Sequence, residues 1–293
     1  MNTPSIPPVS SAAERTERAS DTFSERGVTE DILHTVQCAA GVDFSGYRAQ
    51  TVERRIRNRM MTLGIHDLAA YHRLLRESAE EVQSLIARLT IKVSRFYRNP
   101  PVFDAIRSDV LPRLAQLGRP VRVWSAGCAR GEEAYTLAML LEDAAIPGEV
   151  IATDIDPLAL LAAREARFEA AVVSDLPSEW AALFLEPIGH RAQTTYQVRD
   201  AIRTRVTFEH ADLTTASSNA AAPFDLICCR NALIYWNANV QRAIFGHLLS
   251  NLHQGGWLCL GEAEWPDRVS LSRLDVVAAR LRLFRHRTTE SPR

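Results

Sequence analysis

After Gly118-Arg119-Pro120, short apolar runs alternate with amphipathic stretches, and this alternation limits the fold more than any other feature of the chain. The runs fall at 121–125, 150–153, 206–208, 224–229 and 257–260, and helical patterns fill 131–144, 157–168 and 238–253. Connections of that length join parallel strands, because antiparallel neighbours need only a tight turn. The expected class is therefore α/β, a doubly wound and mostly parallel sheet over residues 119–288 with helices on both faces. The stretch 185–205 breaks the rhythm. It holds the β-like segment Gln193-Thr194-Thr195-Tyr196-Gln197-Val198 and is expected to form a small β insertion. Val276 to Phe284 is expected to close the chain as one or two strands.

Upstream, the apolar period changes to that of helices. Ile32, Leu33, Val36 and Ala40 make one stripe, and Val52, Ile56, Met60 and Leu63 another. Tyr71, Leu74 and Leu75 make a third, followed by Val82, Leu85, Ile86 and Leu89. Four such stripes predict a small all-helical N-terminal domain over 25–100. A linker helix is expected over 101–118, with Pro112 inside it. Residues 1–24 are rich in Ser, Thr, Pro, Ala and charge without apolar periodicity, the composition of a disordered tail.

Composition bounds the partners. Of 293 residues, 46% are hydrophobic and 24% charged, with a formal net charge of -1. A chain so nearly neutral has no global field to draw nucleic acid or a membrane surface. The five cysteines have neither Cys-x-x-Cys nor zinc-ligand spacing, so no metal site is expected. Cys228 and Cys229 sit side by side in an apolar run, as reduced core thiols do in a reducing compartment. No secretory leader and no bilayer-length apolar run is legible. The expected location is the cytoplasm, without membrane insertion.

The first strand of the α/β region runs into Ala126-Gly127-Cys128-Ala129-Arg130-Gly131-Glu132-Glu133 and then a helix. Glycines at such a turn let a ligand approach the backbone and the helix N–H groups. Roughly twenty residues on, the second strand ends in Asp154-Ile155-Asp156, where an acid suits ribose hydroxyls. The pattern describes nucleoside recognition, although lone glycine turns are often only structural. A dinucleotide site would use Gly-x-Gly-x-x-Gly, whereas here Gly127 and Gly131 stand alone. Glu132 and Glu133 suit the helix dipole but would repel a pyrophosphate. A phosphate-free sulfonium fits better, which favours S-adenosylmethionine over NAD.

Trp124-Ser125-Ala126-Gly127-Cys128, Gly131-Glu132-Glu133-Ala134-Tyr135 and Ala152-Thr153-Asp154-Ile155-Asp156 resemble the cofactor motifs of the CheR-type chemotaxis methyltransferases. The run Phe224 to Trp236, with Cys229-Arg230-Asn231 and Ile234-Tyr235, resembles that family's fourth-strand signature. Gly255 to Glu264 is similar to its last glycine-rich motif, and Val93-Ser94-Arg95-Phe96-Tyr97-Arg98-Asn99-Pro100 also fits. The resemblance covers about residues 29–285. It implies a Rossmann-like class I S-adenosylmethionine methyltransferase that esterifies glutamate carboxylates of chemoreceptors and releases S-adenosylhomocysteine. It implies cofactor-binding roles for Lys92, Ser94, Arg98, Glu133, Asp154, Asp212, Leu213, Arg230 and Asn231. Asp154 would hold the ribose hydroxyls, and Asp212 with Leu213 would flank the adenine. Arg98 would pair with a carboxylate of the cofactor or the substrate, and Tyr235 would sit beside the transferred methyl; these two are the catalytic candidates. The chain departs from the family pattern at Lys92, Ser94, Ala134 and Asp212, and none of these changes removes a charged ligand.

A glutamate ionises near pH 4.3, so the nucleophile is already an anion and needs no general base. This agrees with a sequence without a Ser-His-Asp constellation. Arg48, Arg54, Arg55, Arg57 and Arg59 cluster against Glu53 alone. Such a run is usually a solvated face. The resemblance implies instead a docking helix for the acidic cytoplasmic domain of transmembrane chemoreceptors, with Arg54, Arg55 and Arg59 as contacts. A receptor C-terminal peptide on the 185–205 insertion is a further implied partner; nucleic acid is not expected, and a monomer is. Asn99-Pro100-Pro101 precedes the first strand and lacks a following aromatic residue, which separates it from the similar motif of DNA amino-methyltransferases. The competing readings are a methyltransferase for another substrate and a non-catalytic cofactor-binding signalling adaptor.

Overall fold

A computed structural model describes residues 27–90, 94–189, 194–215 and 223–288. The expected tail at 1–24 and the candidate Lys92 lie outside the described residues. The chain divides between Leu89 and Thr90 into two compact units.

The first unit is helical: α1 (27–40), α2 (Ala49–Leu63), α3 (Leu68–Glu77) and α4 (Ala79–Leu89). Gly64 ends α2 in the left-handed region at φ 68°, where a Cβ would be strained. Asp67 caps α3 by accepting from the N–H groups of Ala69 and Ala70. Ile32, Phe44, Ile56, Tyr71 and Leu85 are fully buried among these helices.

Of the three arginines expected to form the docking ridge on α2, Arg54 is exposed, Arg55 is buried and Arg59 is half-buried, while Arg57 of the same helix is exposed. Arg55 is 5% exposed and donates to the carbonyl of Leu89. Arg59 donates from Nε and Nη2 to the two carboxylate oxygens of Glu81, at 2.9 and 2.6 Å. Helical spacing explains both. Arg55 follows Val52 by three positions and adjoins Ile56 on the buried stripe, and Arg59 lies one turn further along the same ridge, facing α4.

Tyr71 donates to Glu81 Oε1 at 2.8 Å and completes a partly buried triad. Burial pushes the Glu81 carboxyl up, but the hydrogen bonds from Arg59 and Tyr71 outweigh it and leave the group below its ordinary 4.5. A pKa depressed by folding contributes stability above the unfolded value, lost as pH falls through the folded one. Melting of the full chain is therefore expected to steepen its decline below about pH 4.5, and Glu81→Gln flattens that limb. Arg59→Ala, which strands a buried carboxylate, is expected to cost about 3 kcal/mol in denaturant titrations at neutral pH.

The second unit begins ahead of the boundary at residue 100 read from the sequence, because Phe96, Tyr97, Phe103 and Ile106 belong to its core. The expected linker helix is α5 (Pro100–Ala105), a π-helical turn over Ile106–Val110, and α6 (Leu111–Ala115). Pro112 has no N–H and its ring would clash with the carbonyl a turn earlier, and widening the preceding turn relieves both.

The sheet strands are β1 (Val121–Ala126), β2 (Gly148–Asp154), β3 (Arg167–Glu169), β4 (Leu185–Ile188), β5 (Thr195–Val198), β6 (Val206–His210), β7 (Phe224–Cys229), β8 (Leu252–Leu260), β9 (Leu274–Ala278) and β10 (Leu283–His286). Between them run the longer helices α7 (Glu132–Asp143), α8 (Pro157–Glu165) and, later, α9 (Ala238–Ser250). Seven strands form one sheet in the order β6-β2-β1-β7-β8-β10-β9. Its first five members are parallel, and β10 runs antiparallel to both β8 and β9. All six residues of β7 are buried, as expected of a central parallel strand covered on both faces. The chain proceeds outward from β1 through β2 to β6, then resumes at β7 on the other side of β1. The switch point between β1 and β7 opens a crevice at their carboxyl ends.

The small insertion is wider than the sequence indicates. A hairpin of β4 and β5 is joined by β3 in an antiparallel three-stranded sheet. Phe168 of β3 packs edge-on against Phe96 at 4.7 Å, and Trp180 against Tyr97 at 5.6 Å. The insertion thus anchors the 94–99 loop beside the crevice.

Candidate functional site

The turn after β1 enters the crevice first. Gly127 has φ 83°, and a Cβ there would meet the Cβ of Ala232 at 3.0 Å. The glycine therefore serves both the left-handed turn and the close approach of the loop after β7. Glu132 and Glu133 open α7, where carboxylates favour the helix dipole. Glu133 Oε1 accepts from the hydroxyl of Ser125 at 2.8 Å, and its Oε2 lies 3.4 Å from Arg230 Nη1.

Arg230, at the carboxyl end of β7, ties three segments together. Its Nη2 donates to the carbonyl of Arg98 at 2.8 Å and to Asn99 Oδ1 at 2.9 Å. Its guanidinium carbon stands 5.0 Å from the Phe103 ring centroid. Arg230 is 8% exposed, so its main work is internal. Tyr97, Asn99, Ala129 and Asn231 all have positive φ, from 51 to 63°. Four strained non-glycine residues around one crevice are the kind of cost a fold retains at a binding site.

The crevice is a cleft open to solvent, with about 610 Å³ of space that includes its open mouth. It brings together Ser94, Arg98, Glu133, Arg230, Asn231 and Tyr235, six of the residues picked out from the sequence. Asp154 adjoins the cleft rather than lining it. Its Oδ2 accepts from the Ala129 N–H at 2.8 Å and its Oδ1 from the Asp156 N–H at 3.0 Å. Asp212 and Leu213 follow β6. The Asp212 carboxylate accepts from the N–H and hydroxyl of Thr214, both at 2.8 Å, and the Leu213 carbonyl lies 3.3 Å from His247 Nδ1. Asp212 is thus turned onto its own loop.

The charges suit a zwitterion. Glu133 and Arg98 supply opposite signs on one cleft, matching the ammonium and carboxylate of a methionine-like tail. A carboxylate oriented by two backbone donors at the end of β2 suits a nucleoside's hydroxyls. Acids at the start of α7 leave no welcome for phosphate. The donor set therefore fits S-adenosylmethionine.

Sequence reasoning passed over three contributors. Ser125 orients Glu133, and Ala129 orients Asp154 through its N–H. Glu264, 4% exposed, accepts from the N–H groups of Asn231 at 2.9 Å and Leu233 at 2.6 Å. The only signal for Glu264 was a carboxylate closing an apolar, glycine-bearing run.

Both units have counterparts among known protein families. Residues 92–275 match the CheR methyltransferase SAM binding domain, and residues 29–90 match the CheR methyltransferase all-alpha domain. A chemotaxis protein methyltransferase of Listeria monocytogenes is 32% identical over 228 residues, covering 76% of this chain and 84% of that protein. An uncharacterized 104.1 kDa protein of Rhodobacter capsulatus is 33% identical over 262 residues, 86% of this chain but 27% of that protein. A probable biofilm formation methyltransferase of Pseudomonas putida, WspC, is 33% identical over 232 residues, and the match spans 53% of its length. The chain thus spans only a part of some of its relatives. The two domain matches and the relative from Listeria monocytogenes show that the chain belongs to the CheR methyltransferase family, with S-adenosylmethionine as its cofactor.

Proposed function

We propose that this chain methylates the side-chain carboxylates of specific glutamates in the cytoplasmic domain of transmembrane chemoreceptors, as a cytoplasmic protein-glutamate O-methyltransferase. The observation that carries the reading is the convergence of Arg98, Asn231 and Tyr235 with Glu133 on one cleft at the sheet's switch point. S-adenosylmethionine supplies an electrophilic methyl when bound. Glu133 holds its ammonium group, Asp154 its ribose hydroxyls, and Asp212 with Leu213 flanks its base. Arg98 receives a carboxylate, and the Tyr235 hydroxyl orients the acceptor. The acceptor carboxylate is anionic near neutral pH, so the chain need only position it and exclude water.

No helix among the described residues is long and apolar enough to cross a membrane. Docking falls to the outward face of α2, where Arg54, Arg57 and Met61 are exposed at helical spacing. Arg55 and Arg59 serve the helical unit itself. The β4–β5 hairpin is the proposed seat of a receptor C-terminal peptide.

The test is methyl transfer from labelled S-adenosylmethionine to receptor-bearing membranes, followed by release of methanol with alkali. Base-labile label on the receptor is expected. Arg98→Ala is expected to lower transfer about 100-fold or more by loss of positioning. Arg54→Glu is expected to raise the KM for receptor without changing cofactor affinity, and less so at high salt. Cofactor binding with no base-labile label would favour the adaptor or another substrate.

A further inference from the structure

The loop after β7 carries Asn231 and Tyr235 into the cleft, and its backbone N–H groups turn to a carboxylate outside the cleft lining. Asn231 sits in the left-handed region at φ 60°, and Leu233–Tyr235 forms one 3-10 turn. The N–H groups of Asn231 and Leu233 converge on the carboxylate of Glu264, which comes from the turn after β8. Glu264 Oε2 accepts from Asn231 at 2.9 Å and from Gly261 at 2.7 Å, and Oε1 accepts from Leu233 at 2.6 Å. The N–H of Ile234 contributes as well. Glu264 is 4% exposed and does not line the cleft. Gly261 makes the approach possible, since a Cβ there would lie 2.6 Å from the Asn231 nitrogen and 2.7 Å from Glu264 Oε2.

We infer that Glu264 is a positioning residue for methyl transfer, filling a nest of backbone N–H groups and so fixing the loop that presents Asn231 and Tyr235. This rests on the methyl-transfer reading above. Oriented backbone donors around an anion are the geometry of phosphate nests, and here the anion is supplied by the chain itself. Hydrogen bonds to an ionised acceptor are shorter and stronger than neutral ones, which suits a strained backbone. Burial pushes the Glu264 carboxyl up while the backbone donors pull it down, and burial wins. The fold accepts that cost where the carboxylate bonds to the loop and to its own turn. A glutamine cannot substitute, because its amide nitrogen, itself a donor, would face backbone N–H groups that only donate.

The experiment uses the full chain, wild type against Glu264→Gln. Amide hydrogen exchange reads Asn231, Leu233 and Gly261; calorimetry reads S-adenosylmethionine affinity; transfer to a receptor fragment is normalised to cofactor-binding sites. Exchange at those amides is expected to quicken about tenfold or more. Turnover per site is expected to fall about 10- to 100-fold, with cofactor affinity held within about threefold. A merely structural role would lower the active fraction and the melting temperature but not the turnover of the sites that bind. Unchanged exchange, or unchanged turnover per site, overturns the inference. If wild-type chain leaves the receptor fragment unlabelled, the substrate reading fails by itself, and exchange still decides the clamp. Glu264→Asp keeps the charge one methylene short. It is expected to fall between wild type and Glu264→Gln, and it replaces the latter in every readout if that variant does not fold.

Discussion

Asp154→Ala is expected to weaken binding of S-adenosylhomocysteine by about 10²- to 10³-fold while leaving a folded, cooperatively melting chain. The carboxylate ends β2, level with His210 on β6, and the Ala129 and Asp156 N–H groups set its plane. A hydrogen bond to a charged acceptor is worth about 1.5–3 kcal/mol, and the assignment gives Asp154 two hydroxyls to hold. At about 1.4 kcal/mol per decade, two such bonds correspond to about 10²- to 10⁴-fold, and compensation by water lowers the upper end to the stated range. Asp154→Asn keeps one acceptor oxygen, so its loss is expected near tenfold. The neighbouring acid is the control. Asp156 caps α8 by accepting from Leu158 and Ala159, and it is buried. Asp156→Ala is expected to cost about 1 kcal/mol of stability with little change in affinity. Calorimetric titration separates the two acids of Asp154-Ile155-Asp156. Wild-type affinity in Asp154→Ala would remove the ribose assignment.

The parts of this molecule that were legible in the sequence are those fixed by local chemistry. The parallel strands β1, β2, β6, β7 and β8 announced themselves as short apolar runs, because buried parallel strands need little that is polar. The turn at 126–133 was legible because glycine and acid are required there by backbone conformation and helix dipole. What escaped depended on a partner far along the chain. Arg55 and Arg59 read as surface charge until Leu89 and Glu81, on or at the end of another helix, claimed them. β3 is three residues long, directly after a helix, and its pairing with β5 leaves no periodic trace. Glu264 binds backbone N–H groups, which no side-chain pattern records. Arg230 was legible as a site residue, but its role shifts: the sequence places it at the cofactor, and the structure turns its guanidinium onto the protein.

That shift makes Arg230 the position where the largest combined loss is expected. Its side chain is 3% exposed and is shared among Glu133, the Arg98 carbonyl and Asn99, with Phe103 beneath. Arg230→Met keeps the bulk but strands the Glu133 carboxylate, so a loss of about 3–5 kcal/mol is expected, with methyl transfer abolished. Arg230→Lys is expected to recover only part of that, since a point charge on a flexible stem cannot reach three acceptors in different directions. If the stranded carboxylate is the main penalty, removing its charge in the same chain must return stability. Arg230→Met with Glu133→Gln is therefore expected to melt higher than Arg230→Met alone, with a coupling of about 1–2 kcal/mol. Cofactor affinity is not expected to return, because Glu133 is the proposed partner of the cofactor's ammonium group. Stability and affinity would then part company in one variant, which is the signature of a residue that builds the site by holding its ligands. A double variant no more stable than the single one would instead place the penalty at the Arg98–Asn99 loop, and Arg230 would be a brace for that backbone alone.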